Sequence, residues 1–593
     1  MVLKPTKNIN TNLSQLSFGQ GRSEASRVAQ AYVLKGGYVY DPLNNIDGEK
    51  MDIAIANGKI VEKPPKGAKT IDVSGKIVMP GGVCIHSHIA GGKVCTGRKL
   101  RPEDHRKDVE PKKPGLRSGV GHSVPSTFTT GYRFARMGYT TVFEPAVPPL
   151  KARHTHEEFQ DTPILDNGGF ALMGNNWFVL EYIRNNEMDK LAAYVAWLLW
   201  ATKCYAVKIV NPGGVESWGW GKDVDSLDDR VPYFDVTPRE VMTALAQANE
   251  KLGLPHTIHV HGNNLGHPGN YEITLETFDA VREVKPFRER KSVLHFTHLQ
   301  FNAYAGTSWK DFASGGQQVA EYLNKHDHVT VDIGQVIFGD TTTMTADGPW
   351  EFRLYHITGN KWVNSDVELE TGSGIVPYVF RRKNPVNAVQ WAIGLEVMLS
   401  VKDPFRLCLT TDHPNGGPFY FYPKIISWLV SRKAREEMLE KVHKTAVERT
   451  TLKDLDREYS LYEIAIVTRA TEAKLLGLKD RGHLGPGARA DVAVYDLDPT
   501  KVDISASPEV VEKAFSAAAY TFKNGEIVVK DGQVVATPDG STIWVKVRNL
   551  DELKELIEED LKEKFSKYYT VSLSNYPVGM EYLPKPEVVE VGG

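Results

Sequence analysis

Hydrophobic and polar positions follow three regimes along the chain. Over residues 31–79 they alternate with the period of two that a half-buried strand requires. "AYVLKGGYVYDP" (31–42) and "MDIAIANGKIVE" (51–62) are two such runs, with Asn57-Gly58 as a hairpin turn, and a third covers 69–79. Over 83–480, short apolar runs trade places with longer stretches of helical period. The runs at 83–89, 140–147, 170–175, 206–210, 257–263, 293–301, 329–338 and 406–412 predict eight strands. "MDKLAAYVAWLLWAT" (188–202) predicts one of the intervening helices. Another starts at Thr237, which can cap it, with Pro238 at the first position and Glu240 completing a capping box. Strand texture then returns in "ADVAVYDLDP" (490–499) and in "GEIVVKDGQVV" (525–535) around Asp531-Gly532.

Eight strand-then-helix units predict an α/β fold with a (β/α)8 TIM-like barrel, whose site lies at the C-terminal ends of the strands. A doubly wound open sheet is the alternative. The strand-rich ends predict one small composite β-sandwich built from both. The expected division is a tail or arm at 1–30, the N-terminal part of the sandwich at 31–82, the barrel at 83–480, the C-terminal part of the sandwich at 481–546, and a charged helix (551–567) with an extended tail at 547–593.

Composition narrows the chemistry. At 593 residues, 41% hydrophobic and 24% charged, the chain reads as globular and longer than one ordinary domain. A net charge of −3 gives no reason to expect nucleic acid as a partner. The four cysteines, Cys84, Cys95, Cys204 and Cys408, are scattered. They form no C-x-x-C pair, no thiolate zinc site and no iron–sulfur ligand set, which fits a cytoplasmic protein. No apolar span reaches membrane length, and the first 30 residues lack the apolar stretch of a signal peptide.

Candidate chemistry gathers at the predicted strand ends. His86 and His88, in "MPGGVCIHSHIAGG" (79–92), share one face of the first strand, either as two ligands to one metal or as two hydrogen-bonded rings. Lys208 lies within the apolar fourth strand. His259 and His261 follow on the fifth, His295 and His298 on the sixth, and Asp412 and His413 on the eighth. A barrel-facing lysine is costly to desolvate and is driven toward the neutral amine, which captures carbon dioxide as a carbamate; the alternative is an ion-paired or snorkelling lysine. His256, His259 and His295 are either ligands or hydrogen-bonded core groups. His105, His154 and His156 sit in polar segments with either role open.

H-x-H after Pro-Gly, the strand-four lysine, one histidine each on strands five and six and an aspartate on strand eight resemble the amidohydrolase superfamily. "HLGPGARADVAVYD" (483–496) is similar to its flanking sandwich. The resemblance implies two zinc ions: one held by His86, His88 and Asp412, the other by His261 and His298, with N6-carboxylated Lys208 bridging them. "VHGNN" resembles the family's V-H-A-E-N and "THLQ" its V-H-L-S, which selects His261 over His259 and His298 over His295. Cys84 stands where many members carry Asp.

From residue 31 onward, "KIVNPGGVESWGWG", "HVHGNNLGHPGNY", "HLQFNAYAG", "TTDHPNGGPF" and "KYYTVSLSNYPVG" resemble the family of A-type subunits of formylmethanofuran dehydrogenase, together with their relatives in bacterial formyltransferase/hydrolase complexes. That family occurs in methanogenic and related archaea. The likeness implies reversible condensation of formate with methanofuran. Carbon dioxide would be reduced by a molybdenum or tungsten pterin in a partner subunit, with further iron–sulfur subunits, and Asp412 and Lys208 would serve catalysis. Asn263, Asn264, Gln300, Asn302 and Trp218 would either hold the substrate or shape loops. A stand-alone cyclic amidohydrolase of hydantoinase or dihydroorotase type, and a metal-free scaffold, are the alternatives.

Overall fold

The computed structural model describes residues 30–288, 290–364 and 372–592. Nearly all of the expected N-terminal tail or arm lies outside them.

The eight strands are present in one parallel sheet, in chain order. They are Gly82–Cys84, Tyr139–Val147, Asp166–Leu172, Ala206–Val210, Ile258–His261, Leu294–Phe296, Val329–Asp332 and Leu407–Cys408. Just past the first and last of these, Ser87 pairs in parallel with His413, and the His88 N–H donates to the His413 carbonyl at 2.8 Å. The sheet therefore closes into a barrel, and the closing seam is made of residues that flank His86, His88 and Asp412. The third strand begins four residues earlier than its apolar pattern suggests. Gly168 and Gly169 read as a turn, but a Cβ at either would collide with Phe143 or Val147 of the neighbouring strand. Glycine here permits close packing inside a strand.

The chain ends meet as expected in one mixed nine-stranded sheet. Ile77–Pro80 runs antiparallel to Val492–Tyr495, with Val78 opposite Val494. The sheet curls so that the Ile60 N–H reaches the Ala488 carbonyl, enclosing Val39, Ile53, Ile55, Val492 and Phe522. Thr542–Val547 runs instead beside the third barrel strand, with Thr542 opposite Asn167, and Pro586–Val591 extends that edge.

Two local readings explain the helices around the barrel. Thr237 and Glu240 form the full capping box of helix Pro238–Leu252, which ends on Gly253 at φ 64; such a cap contributes about 1 kcal/mol. Helix Met188–Thr202 is apolar nearly all round because it is covered on both sides, by the barrel and by the C-terminal helices (Trp197 meets Phe565 edge to face).

One element has no counterpart in the sequence pattern. Between strands seven and eight, Gly339–Thr345 and Gly374–Phe380 form an antiparallel pair, with helix Gly348–Thr358 between them. This insertion roofs the C-terminal face of the barrel.

Candidate metal centre

The barrel register sets the site. Lys208 lies opposite His259, and His259 opposite His295, so all three project from one inward-facing row. His261 stands two residues further along the same face. His86 and His88 follow strand one, His298 follows strand six and Asp412 follows strand eight. Each of these side chains, and Lys208, is 4% exposed or less.

Hydrogen-bond accounting separates the histidines. A backbone carbonyl only accepts, so the His256 Nδ1–H donates to Leu475 O (2.9 Å). Burial holds His256 and His259 well below the usual imidazole range, hence neutral. His256 Nε2 therefore accepts from the His259 Nδ1–H (3.1 Å), and His259 Nε2 accepts from the His86 Nδ1–H (2.9 Å). Asp332 Oδ2, 3.2 Å from the same His86 nitrogen, is a second acceptor. His259 and His256 are thus fully partnered. His295 is too, between Thr330 Oγ1 (3.0 Å) and Asp332 (3.3 Å).

In a neutral His86 this chain of bonds would leave Nε2 with a lone pair, but although burial opposes charge, Asp332 and Asp412 outweigh it and raise the His86 pKa, which favours a proton on Nε2 in the metal-free protein. Nε2 lies 3.0 Å from Asp412 Oδ1, and neither atom has another hydrogen-bond partner among the described residues. His88 Nε2 is 3.3 Å from the same oxygen. A positive charge belongs between these atoms: a proton on His86 Nε2 supplies it in the metal-free protein, and a metal ion held by His86, His88 and Asp412, whose ligand atoms cluster here, would take the proton's place. Ligands bonded to zinc at 2.0–2.1 Å in a tetrahedron lie about 3.3 Å apart. His86, His88 and Asp412 therefore fit one ion. Their neighbours His261 and His298, with ring centroids 4.7 Å apart, leave nitrogens for another. His261 Nε2 is 3.1 Å from Asp347 Oδ2, which leaves Nδ1, and His298 Nδ1 is unpartnered among the described residues. Lys208 Nζ reaches Thr297 Oγ1 at 3.4 Å, and burial pulls its pKa down to about 7.

Backbone strain marks the same place. His298 (φ 36) and Asp412 (φ 50) both adopt left-handed conformations, which cost roughly 1–2 kcal/mol each in a non-glycine residue. Gly334 (φ 69) lies between them, and a Cβ there would meet His298 Cβ at 2.5 Å.

Three carboxylates that pattern reading missed orient the site. Asp332 accepts the His298 N–H (2.9 Å) and the Thr410 hydroxyl (2.7 Å) as well as His86. Glu144, on strand two, accepts from His88 Nδ1 (2.9 Å), from Lys93 Nζ (2.9 Å) and from the backbone N–H groups of Ile89 and Ala90. Burial opposes its charge, but Lys93 and His88 outweigh burial and hold its pKa down to about 2. Asp347 comes from the insertion. A lone carboxylate inside "TTVFEPAV" and another closing "VTVD" were the available signals for Glu144 and Asp332. Glu144→Gln, which leaves Lys93 unpaired and His88 poorly held, is expected to weaken metal binding by about 10–100-fold in a chelator competition titration.

The remaining candidates fall elsewhere. Asn263 donates to Asn211 (2.8 Å) and Pro212, Asn264 to Asp225, and Asn302 to the Asn263 carbonyl (3.2 Å). Gln300 receives the Val336 N–H, and Trp218 packs on Phe352. None of these five lines the apolar cavity of about 290 Å³ that opens beside His261 and Asp412. Its walls include Phe301, Trp309, Trp350, Glu351, Tyr378 and Phe380. His156 is buried against the Thr202 carbonyl, and burial lowers its pKa to about 4; His105 is half-buried. His154 joins Cys95 and Glu158 in a separate cluster, where Glu158 is already paired with Arg98 at 2.6 Å. In the position where many amidohydrolases have Asp, the Cys84 thiol touches Ser87 and Tyr422, both at 3.3 Å.

Comparison with known proteins adds three findings. The model of the Amidohydrolase family matches residues 69–536. Protein FwdA of Methanocaldococcus jannaschii is 56% identical over 565 residues, covering 94% of this chain and 99% of that protein. The FhcA component of the formyltransferase/hydrolase complex of Methylorubrum extorquens is 38% identical over 542 residues, covering 90% and 94%. In the crystal structure of that bacterial complex (FhcABCD) with methylofuran, one chain superposes with a TM-score of 0.85 at 37% identity, covering 95% of this chain and 100% of that one.

Proposed function

Because this chain belongs to the amidohydrolase family, in the group that holds FwdA and FhcA, we propose that it is the amide-forming subunit of a formylmethanofuran dehydrogenase. It condenses formate with the primary amine of methanofuran and hydrolyses formylmethanofuran in reverse. The observation that supports this reading is the buried cluster in which His86 Nε2 and His88 Nε2 converge on Asp412 Oδ1, at 3.0 and 3.3 Å, beside an apolar cavity. A buried donor set of imidazoles and a carboxylate suits zinc.

Two zinc ions, when bound, supply Lewis acidity that polarises the formyl carbonyl and acidifies a water. The protein's own groups do the rest. His86 and His88 would hold one ion with Asp412, and His261 and His298 would hold the other. The Lys208 amine, its pKa pulled down to about 7 by burial, would form an N–C bond to carbon dioxide with loss of one proton, giving a carbamate whose two oxygens would add to the ligand set. In hydrolysis Asp412 takes the proton of the attacking water and passes it to the leaving nitrogen. In synthesis the same carboxylate takes a proton from the attacking amine. Amine, formate and one proton give formamide and water.

Condensation in water needs concentrated formate, since a catalyst lowers both barriers alike. That requirement favours assembly with the partner that makes formate: a molybdenum or tungsten pterin subunit, served by iron–sulfur subunits, in the cytoplasm of an archaeon. The four cysteines here are free and dispersed, and among the described residues no helix is long and apolar enough to cross a membrane.

Elemental analysis of the purified protein is expected to show about two zinc ions per chain, together with release of formate from formylmethanofuran. Hydrolysis of dihydroorotate or a hydantoin without action on formylmethanofuran would overturn the reading.

A further inference from the structure

Among the described residues, Glu351 is the one carboxylate on the cavity wall besides Asp412, and the reaction described above leaves it unused. It stands in the first turn of helix Gly348–Thr358, in the insertion, and is 1% exposed. Its place is built. A Cβ at Gly374, on the facing strand, would collide with the Glu351 Cβ and with Trp362, so glycine there makes room for it. Oε2 lies 2.9 Å from Thr343 Oγ1, and that hydroxyl also reaches the Val376 carbonyl at 2.8 Å. A hydroxyl has one proton and a carbonyl can only accept. When Thr343 donates to Val376, the proton between Thr343 and Glu351 belongs to Glu351. Burial, with the charges of Asp347 and Asp412 nearby, pushes its pKa well above the usual carboxylate range, which agrees with a neutral acid. Its other oxygen, Oε1, is buried and has no partner among the described residues. A buried acceptor without a donor is costly and calls for one.

We propose that Glu351 is the nitrogen-recognition residue of the site, whose Oε1 accepts an N–H of the substrate amine and the N–H of the formamide made from it. The proposal rests on the amide-forming reading above. It explains why the acid is kept neutral. A carboxylate would stabilise an ammonium ion, which has no lone pair to attack with. A neutral acid accepts an N–H from the free amine without holding a further proton on it. One N–H is then fixed at the cavity wall, with Asp412 on the same cavity to handle the other proton.

The test uses the zinc-loaded protein, with methanofuran and formate varied separately. Glu351→Leu is expected to raise the KM for methanofuran, and its Kd by calorimetry, about tenfold or more. Zinc content and the KM for formate stay as in the parent. Glu351→Gln, which keeps an acceptor and a donor in place, stays within about threefold of the parent. The same question can be put from the substrate side without a variant: formylmethanofuran methylated on the amide nitrogen has no N–H and is expected to bind at least about tenfold more weakly to the parent protein. An unchanged methanofuran Kd in Glu351→Leu, an equal change in both Michaelis constants, or equal binding of the methylated amide would overturn the proposal. A parent protein inert toward formylmethanofuran would instead overturn the functional reading on which it rests.

Discussion

In Lys208→Ala, zinc content and formylmethanofuran hydrolysis fall together, with activity down by roughly 10³-fold, the several kcal/mol that a bound cation supplies to such a reaction. Lys208 stands in the inward row beside His259, both nitrogens of which are spent on His86 and His256. Its hydrogen-bonding neighbour is the Thr297 hydroxyl at 3.4 Å, and among the described residues no carboxylate is hydrogen-bonded to Nζ. Burial lowers the Lys208 pKa to about 7, outweighing the pull of Asp332 and Asp412 in the other direction. The free amine is the reactive form, and it becomes the major form as pH rises through that value. At constant dissolved carbon dioxide, reconstitution of metal-free protein with zinc is therefore expected to slow about tenfold per unit below pH 7 and to level off above it. A short carboxylic acid added to Lys208→Ala restores part of both zinc and activity, since it supplies the two oxygens that the side chain no longer carries. Unchanged zinc in Lys208→Ala, measured by elemental analysis, would refute the bridging role.

Asp412→Asn separates holding metal from moving protons. Oδ2 accepts the Asn415 amide at 2.9 Å, and Oδ1 is the oxygen on which His86 and His88 converge. Burial disfavours charge on Asp412, but His298 and His86 outweigh it and hold the group well below the usual carboxylate range. It is therefore charged at neutral pH, able to bind a cation and to receive a proton once that cation shares its charge. Asparagine keeps one oxygen for the ion and cannot take the proton. Hydrolysis is expected to fall by about 10²–10⁴-fold while most of the zinc stays. Synthesis from formate falls by the same factor, because both directions share one transition state. His261→Ala and His298→Ala lose zinc first. If Asp412→Asn keeps near-parental turnover, the proton carrier is another group, and His413 is the first to examine.

Much of this architecture was written in local pattern. Period-two runs and the capping box at Thr237 depend on a residue and its near neighbours. So does the placing of a polar group at the end of an apolar strand, which picks out His86, His88, Lys208, His261 and Asp412. Resemblance chose His261 over His259; in the structure the two nitrogens of His259 reach His256 and His86, and the same ring stands with His86 and Asp332 in a second group that could hold an ion.

Other features depend on residues far apart in the chain. Glu144 meets His88 across 56 positions, and Ser87 pairs with His413 only where the barrel closes. Asp332 finds His86 because strand seven curls round to strand one. The insertion between strands seven and eight gave no periodic signal, yet it brings Glu351 and the aromatic wall to the cavity. Sequence alone determined which chemical groups stand at the strand ends, because side-chain direction follows from backbone period. Only the tertiary structure decided which of those groups are left without partners, because hydrogen-bond satisfaction belongs to the set of neighbours that barrel closure assembles.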